Sequence, residues 1–139
     1  MSDWLIPYIM FKGNCEAAVK FYQKVLGGET AILHFGDMPP NPAHQIPEEQ
    51  KNLVMHAELR KDGHVLRFSD YCTNSTFVQG NNISFSLEFD TKEETKATFE
   101  ALSEGGSIEM ELQETFFSPL YGKFTDRFGI MWQLSCRPH

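Results

Sequence analysis

Residues Phe11 to Glu29 carry a complete helix with a start, a buried face and a stop, and this stretch constrains the fold more than any other. Asn14 is the expected N-cap, its side chain accepting from amides of the first turn, and Glu16 stands where the helix dipole favours a carboxylate. Ala18, Phe21, Tyr22, Val25 and Leu26 then fall on one apolar stripe. Gly27-Gly28 ends it, because glycine best tolerates the left-handed backbone of a helix stop. The preceding Trp4 to Phe11 is rich in aromatic and β-branched residues and too short for a helix, so it reads as a strand.

The same unit recurs. Ile83, Phe85, Leu87 and Phe89 alternate with Ser84, Ser86 and Glu88, the period of a half-buried strand. Thr91 and Glu94 form a capping-box pair, and Thr95, Phe99 and Leu102 follow at helical spacing before Gly105-Gly106. Sliding one copy onto the other aligns Phe21 with Phe99 and both glycine pairs, which favours an internal repeat.

After the first helix, Ala31 to Phe35 reads as a short strand. Gly36 to Lys51, with Pro39, Pro40, Pro42 and Pro47, reads as a surface loop, open to a role as lid, binding loop or plain insertion. Val54 to Arg60 and Val65 to Tyr71 then flank Asp62-Gly63, the pair preferred in a two-residue type I′ turn. Counting outward from that turn sets Arg60 against Val65, Leu59 against Leu66, Glu58 against Arg67, Ala57 against Phe68, His56 against Ser69 and Met55 against Asp70. One face then carries Leu59, Leu66, Ala57, Phe68 and Met55 for packing on a helix. The other carries His56, Ser69, Glu58 and Arg67 and looks into solvent or a pocket.

The last third follows suit with strands at Glu109 to Phe117 and Tyr121 to Asp126, a turn at Asp126 to Gly129, and a closing strand from Ile130 to Ser135. On that strand Ile130, Trp132 and Leu134 share one face and Met131, Gln133 and Ser135 the other. Each half therefore reads strand, helix, then three strands.

Composition removes several classes of function. A net charge of −7 spread without a basic cluster makes nucleic acid and anionic membrane poor partners. No apolar run reaches the length of a membrane span, and the first residues lack a signal-peptide pattern. Cys15, Cys72 and Cys136 are far apart and odd in number, which argues for a reducing cytoplasm and against a disulfide framework or thiolate zinc site.

Phe11 to Gly28 resembles the sequence Phe-x-Gly-Asn-Cys-Glu-x-Ala-x-x-Phe-Tyr-x-x-x-x-Gly-Gly that opens the PhnB-like proteins of the glyoxalase/bleomycin-resistance/dioxygenase (vicinal oxygen chelate) superfamily, often named for a 3-demethylubiquinone-9 3-methyltransferase domain. Met55-His56-Ala57 and Ser69-Asp70 match that group's first hairpin, and Tyr121-Gly122 with Asp126 to Trp132 match its close. The resemblance implies an α+β fold of two βαβββ modules, about 1–75 and 80–139, in one glyoxalase-like domain. It also implies curled mixed sheets around a cleft, and a homodimer.

The superfamily's metalloenzymes take ligands from His, Gln and Glu on the first and last strands of each module, a set suited to an octahedral divalent ion. Those positions fall here near Ile6 or Tyr8, and on Arg67, Ser84 and Gln133. Only Gln133 could coordinate, and an arginine in the shell would repel a cation. The usual metal set is therefore not expected, although a divalent metal on a rearranged site stays open.

His56 and Glu58, two apart on one strand face, are the candidate catalytic pair, but a Glu58–Arg67 cross-strand ion pair and a hydrogen-bonded strand histidine are the plainer expectation. His34, His44 and His64 form no ligand pair of recognisable spacing. Cys15 at a helix start is expected to be an inert thiol. Trp132, Phe85, Phe89 and Phe68 are expected in the core, while Phe116, Phe117 and Tyr121 suit ligand contact, packing or a dimer contact equally. Neither glycine pair resembles the phosphate-cradling loop of a nucleotide or S-adenosylmethionine site, so methyl transfer finds no support in these residues.

Two functions survive. The first is a binder of a small anionic or aromatic molecule, with no cofactor, using Tyr8, His56, Glu58, Arg67, Ser84, Ser86, Met131 and Gln133, with Phe117 and Tyr121 at the mouth. The second is a metal-dependent lyase, isomerase or dioxygenase whose shell would be His56, Glu58 and Gln133.

Overall fold

A computed structural model of the chain describes residues 3–43, 45–71 and 77–138; His44 and Cys72 lie outside them. The chain divides into two compact units, Met1–Phe77 and Val78–His139, each built alike. The first holds β1 (Tyr8–Phe11), α1 (Cys15–Leu26), β2 (Glu29–His34), β3 (Val54–Lys61) and β4 (His64–Asp70). The second holds β5 (Phe85–Phe89), α2 (Lys92–Ser103), β6 (Ser107–Gln113), β7 (Tyr121–Thr125) and β8 (Met131–Cys136). The sheets run β1-β4-β3-β2 and β5-β8-β7-β6, the first pair of each parallel and the rest antiparallel. This is the α+β glyoxalase fold, with neither sheet closed into a barrel.

Each helix covers one face of its own sheet and leaves the other face open. Tyr22 and Phe99 both occupy the eighth position of a twelve-residue helix and are buried. Tyr22 stacks on Phe68 of β4 with ring centres 5.9 Å apart, and Phe99 meets Phe124 of β7 edge-on at 5.0 Å. Phe21, which the glycine alignment set against Phe99, is only half-buried. The second helix ends on Glu104 before Gly105, whereas Gly27 directly caps the first at φ 83°, so the repeats are one residue out of step there.

The Asp62-Gly63 turn forms with both residues at positive φ, 52° and 83°, as a type I′ hairpin requires. It sets Arg60 against Val65, Leu59 against Leu66, Glu58 against Arg67 and Ala57 against Phe68, the expected register. Beyond Ala57 the expectation fails. His34 pairs with Val54 and Leu33 with His56, so Met55 is an extra, bulged residue, and Val54 takes the buried place instead.

Other boundaries shift for local reasons. β1 begins at Tyr8 rather than Trp4, which is exposed; Pro7 offers its carbonyl to the Arg67 amide but has no N–H to continue the ladder. β6 stops at Gln113, because Thr115 and Ser118 close a turn on each other and leave Phe116 fully exposed. Asn14 occupies the N-cap position without a side-chain bond. Asp70 serves in its place, its Oδ1 accepting from the Gly13 and Cys15 amides at 2.9 and 3.0 Å. In α2 Thr91 caps the helix as expected, its Oγ1 accepting from the Glu94 amide at 3.1 Å, but the Glu94 carboxylate accepts from the Thr91 hydroxyl at 3.3 Å rather than from the Thr91 amide of a full capping box. Two short 3₁₀ turns, Phe35–Asp37 and Glu48–Gln50, bracket the proline-rich segment, where Phe35, Met38, Pro39, Pro42 and Ile46 line an open surface recess. Among the described residues no helix is long and apolar enough to cross a membrane.

Candidate functional site

On the open face of the first sheet the pleat aligns Tyr8, Arg67, Glu58 and Ala31 in one row across four strands, with Leu33 and His56 paired in the next. At the centre is Glu58. Its Oε1 accepts from Arg60 Nη2 and Nε at 2.8 and 3.0 Å, and its Oε2 from Arg67 Nε at 2.9 Å. Partial burial is the largest single influence and opposes ionisation, but hydrogen bonds from Arg60, His56 and Arg67 outweigh it and hold the carboxyl below its ordinary pKa. His56 Nε2 lies 3.5 Å from Glu58 Oε2, and its Nδ1 lies 3.3 Å from the Tyr8 hydroxyl.

The first unit thus brings together Tyr8, His56, Glu58 and Arg67. The sequence reading missed Arg60, although it sits two residues from Glu58 and so on the same strand face. With it, two guanidiniums face one carboxylate, an excess of positive charge in a chain of net charge −7. Exposed Tyr8, Met10 and Leu33 edge the cluster with apolar surface.

On the open face of the second sheet the Tyr121 hydroxyl donates to Gln133 Oε1 at 2.7 Å, and Gln133 Nε2 donates to Ser84 Oγ at 2.9 Å. Ser86 and Lys123 flank Gln133 in register, and Met131 shares their side of β8. Phe116, Phe117 and Tyr121 form an edge-to-face ladder at 5.2 and 4.9 Å, leaving Phe117 half-exposed. Ser84, Ser86, Tyr121, Met131 and Gln133 thus share one face. Lys123 was also missed; its place opposite Gln133 follows from the β7–β8 register alone.

The remaining candidates serve structure. Trp132 and Phe68 are core, and Phe85 and Phe89 are half-buried beside it. Cys15 is fully buried, and burial, followed by the charges of Asp70 and Glu16, pushes its thiol up to about 12, which leaves it inert. His34 bonds Glu16, and His64 bonds Asp3 at 3.1 Å.

A divalent ion does not fit the first face well. Both Glu58 oxygens are taken by guanidiniums and both His56 nitrogens have partners. Among the described residues no group of three His, Cys, Asp or Glu could hold a metal ion.

The sequence profile described as "Glyoxalase/Bleomycin resistance protein/Dioxygenase superfamily" matches residues 4–134. Protein YjdN of Escherichia coli (strain K12) is 34% identical over 140 residues, covering 94% of this chain and 93% of that protein. The crystal structure of protein PA1353 from Pseudomonas aeruginosa is 39% identical with a TM-score of 0.87, covering 98% of each chain. A PhnB protein from Bacillus cereus is 25% identical with a TM-score of 0.75, covering 96% of this chain and 99% of its own.

Proposed function

The chain belongs to the glyoxalase/bleomycin resistance protein/dioxygenase superfamily and is PhnB-like, and from that premise we propose that it binds a small anionic or aromatic molecule on the open faces of its sheets. The observation that carries this reading is the pair Arg60 and Arg67 on the single carboxylate of Glu58. Guanidiniums in excess on a water-facing sheet suit a carboxylate or phosphate, and Tyr8, Met10 and Leu33 beside them suit an apolar body. On the second sheet Lys123, the Tyr121–Gln133–Ser84 chain and Phe117 offer the same mixture of cation, polar groups and ring. The metal-dependent alternative would require Glu58 to give up its arginines. We treat the two units as modules of one domain, in a protein that acts in the cytoplasm as a homodimer; light scattering checks the dimer.

The test is titration of the ¹⁵N-labelled protein with benzoate and phenyl phosphate, followed by amide shifts. Saturable shifts clustered at Tyr8, His56 and Arg67, with affinity roughly tenfold weaker in Arg67→Met, are expected. Binding that is unchanged in Arg67→Met, or no shift on this face, would overturn the reading.

A further inference from the structure

We propose that Tyr8, His56 and Glu58 form a proton relay in which the Tyr8 hydroxyl is the group that exchanges a proton with the bound molecule. The order of the relay follows from the outermost pair of charges inward. The Glu58 carboxylate sits between the Arg60 and Arg67 guanidiniums, which favour its ionised form, so it can only accept. His56 Nε2, facing that carboxylate, must therefore carry the ring proton. Neutral imidazole then has its lone pair on Nδ1, and the group facing Nδ1 is the Tyr8 hydroxyl, which donates to it. With its proton committed inward, Tyr8 Oη turns its lone pairs outward from an exposed position on β1.

This makes Tyr8 the candidate catalytic residue and His56 a positioning residue, since neither imidazole nitrogen is left for a ligand. The step balances within the three side chains and the bound molecule. Tyr8 Oη takes a proton from an acidic O–H or C–H of the molecule, whose bonding pair stays on the molecule. The proton Tyr8 already carried moves to His56 Nδ1, and the resulting imidazolium rests against the Glu58 carboxylate. Return of both protons restores the starting state. The substrate class is a small anion bearing an acidic O–H or C–H, with Arg67 near the charge that develops.

The inference rests on the first sheet face being the ligand face, but its test needs no ligand. An aryl sulfonyl fluoride reports on the same chemistry: the Tyr8 oxygen bonds to sulfur, fluoride leaves, and the phenolic proton passes to His56. Labelling at neutral pH, read by peptide mass spectrometry, is expected at Tyr8 in the full-length protein. The rate should fall tenfold or more in both His56→Gln and Glu58→Gln, with the melting temperature recorded for each. Glu58→Gln keeps the imidazole ring and so separates proton transfer from ring packing. Tyr8 labelling at the wild-type rate in His56→Gln, or no labelling of Tyr8 in the wild type, would overturn the relay. Benzoate and phenyl phosphate that fail to bind while Tyr8 labelling stays His56-dependent would remove the ligand reading and leave the relay standing.

Discussion

The Asp70 carboxylate at the end of β4 reaches the first amide of β3: its Oδ2 accepts from Val54 N at 2.8 Å in a buried setting. Its other oxygen caps α1 through the Gly13 and Cys15 amides, so one side chain ties helix to hairpin. Asp70→Ala leaves three amide donors without that acceptor. A loss of about 3 kcal/mol follows from the worth of charged hydrogen bonds. Urea unfolding should show a lower midpoint at an unchanged slope, with Asp70→Asn intermediate.

A second tie gives a pH dependence. Glu16 at the start of α1 bonds His34 at the end of β2, and Asp37 bonds the same ring. The Glu16 hydrogen bond raises His34 above its ordinary 6.5, so its contribution is full below that value and is lost as pH rises through the raised one. Hydrogen bonds from His34 and then Lys20 lower Glu16 below 4.5, so its contribution is full above that value and is lost as pH falls through the lowered one. The difference in melting temperature between wild type and His34→Gln should therefore be greatest between pH 4.5 and 6.5 and shrink on either side. A flat difference would contradict the pairing.

Close packing of α2 on its sheet depends on Gly122. A Cβ there would stand 2.7 Å from the Phe99 ring and 3.0 Å from the Met110 carbonyl. Gly122→Ala should cost roughly 1–3 kcal/mol, the usual range for overpacking. Denaturant titration measures it, and loss of the Phe99 side-chain NMR environment should accompany the loss of stability.

Local chemistry explains which parts of this fold were legible in the sequence. The Asp62-Gly63 turn fixes its own register, so the Glu58–Arg67 pairing could be read from the residues between them. The Thr91 cap on the Glu94 amide is likewise contained within four residues. Asp70 was not legible as the cap of α1, because it lies 55 residues from Cys15 and only the parallel β1–β4 pairing brings it there. The bulge at Met55 was hidden for the same reason, since it arises from pairing with β2 across the proline-rich segment. At the site, the expected Glu58–Arg67 ion pair forms, while Arg60 went unread as the second partner of Glu58. The positive excess exists only because Arg60 joins the same carboxylate.

The most direct test of the account is whether this sheet face is an organic-anion site or a metal centre. Elemental analysis of the tag-free protein should be paired with a thermal-shift series against Mn, Fe, Co, Ni and Zn ions, because a ligand of the native state alone raises stability by mass action. The account predicts no stoichiometric metal and no saturable shift dependent on His56. Stoichiometric metal, or a saturable shift abolished by His56→Ala, would contradict it.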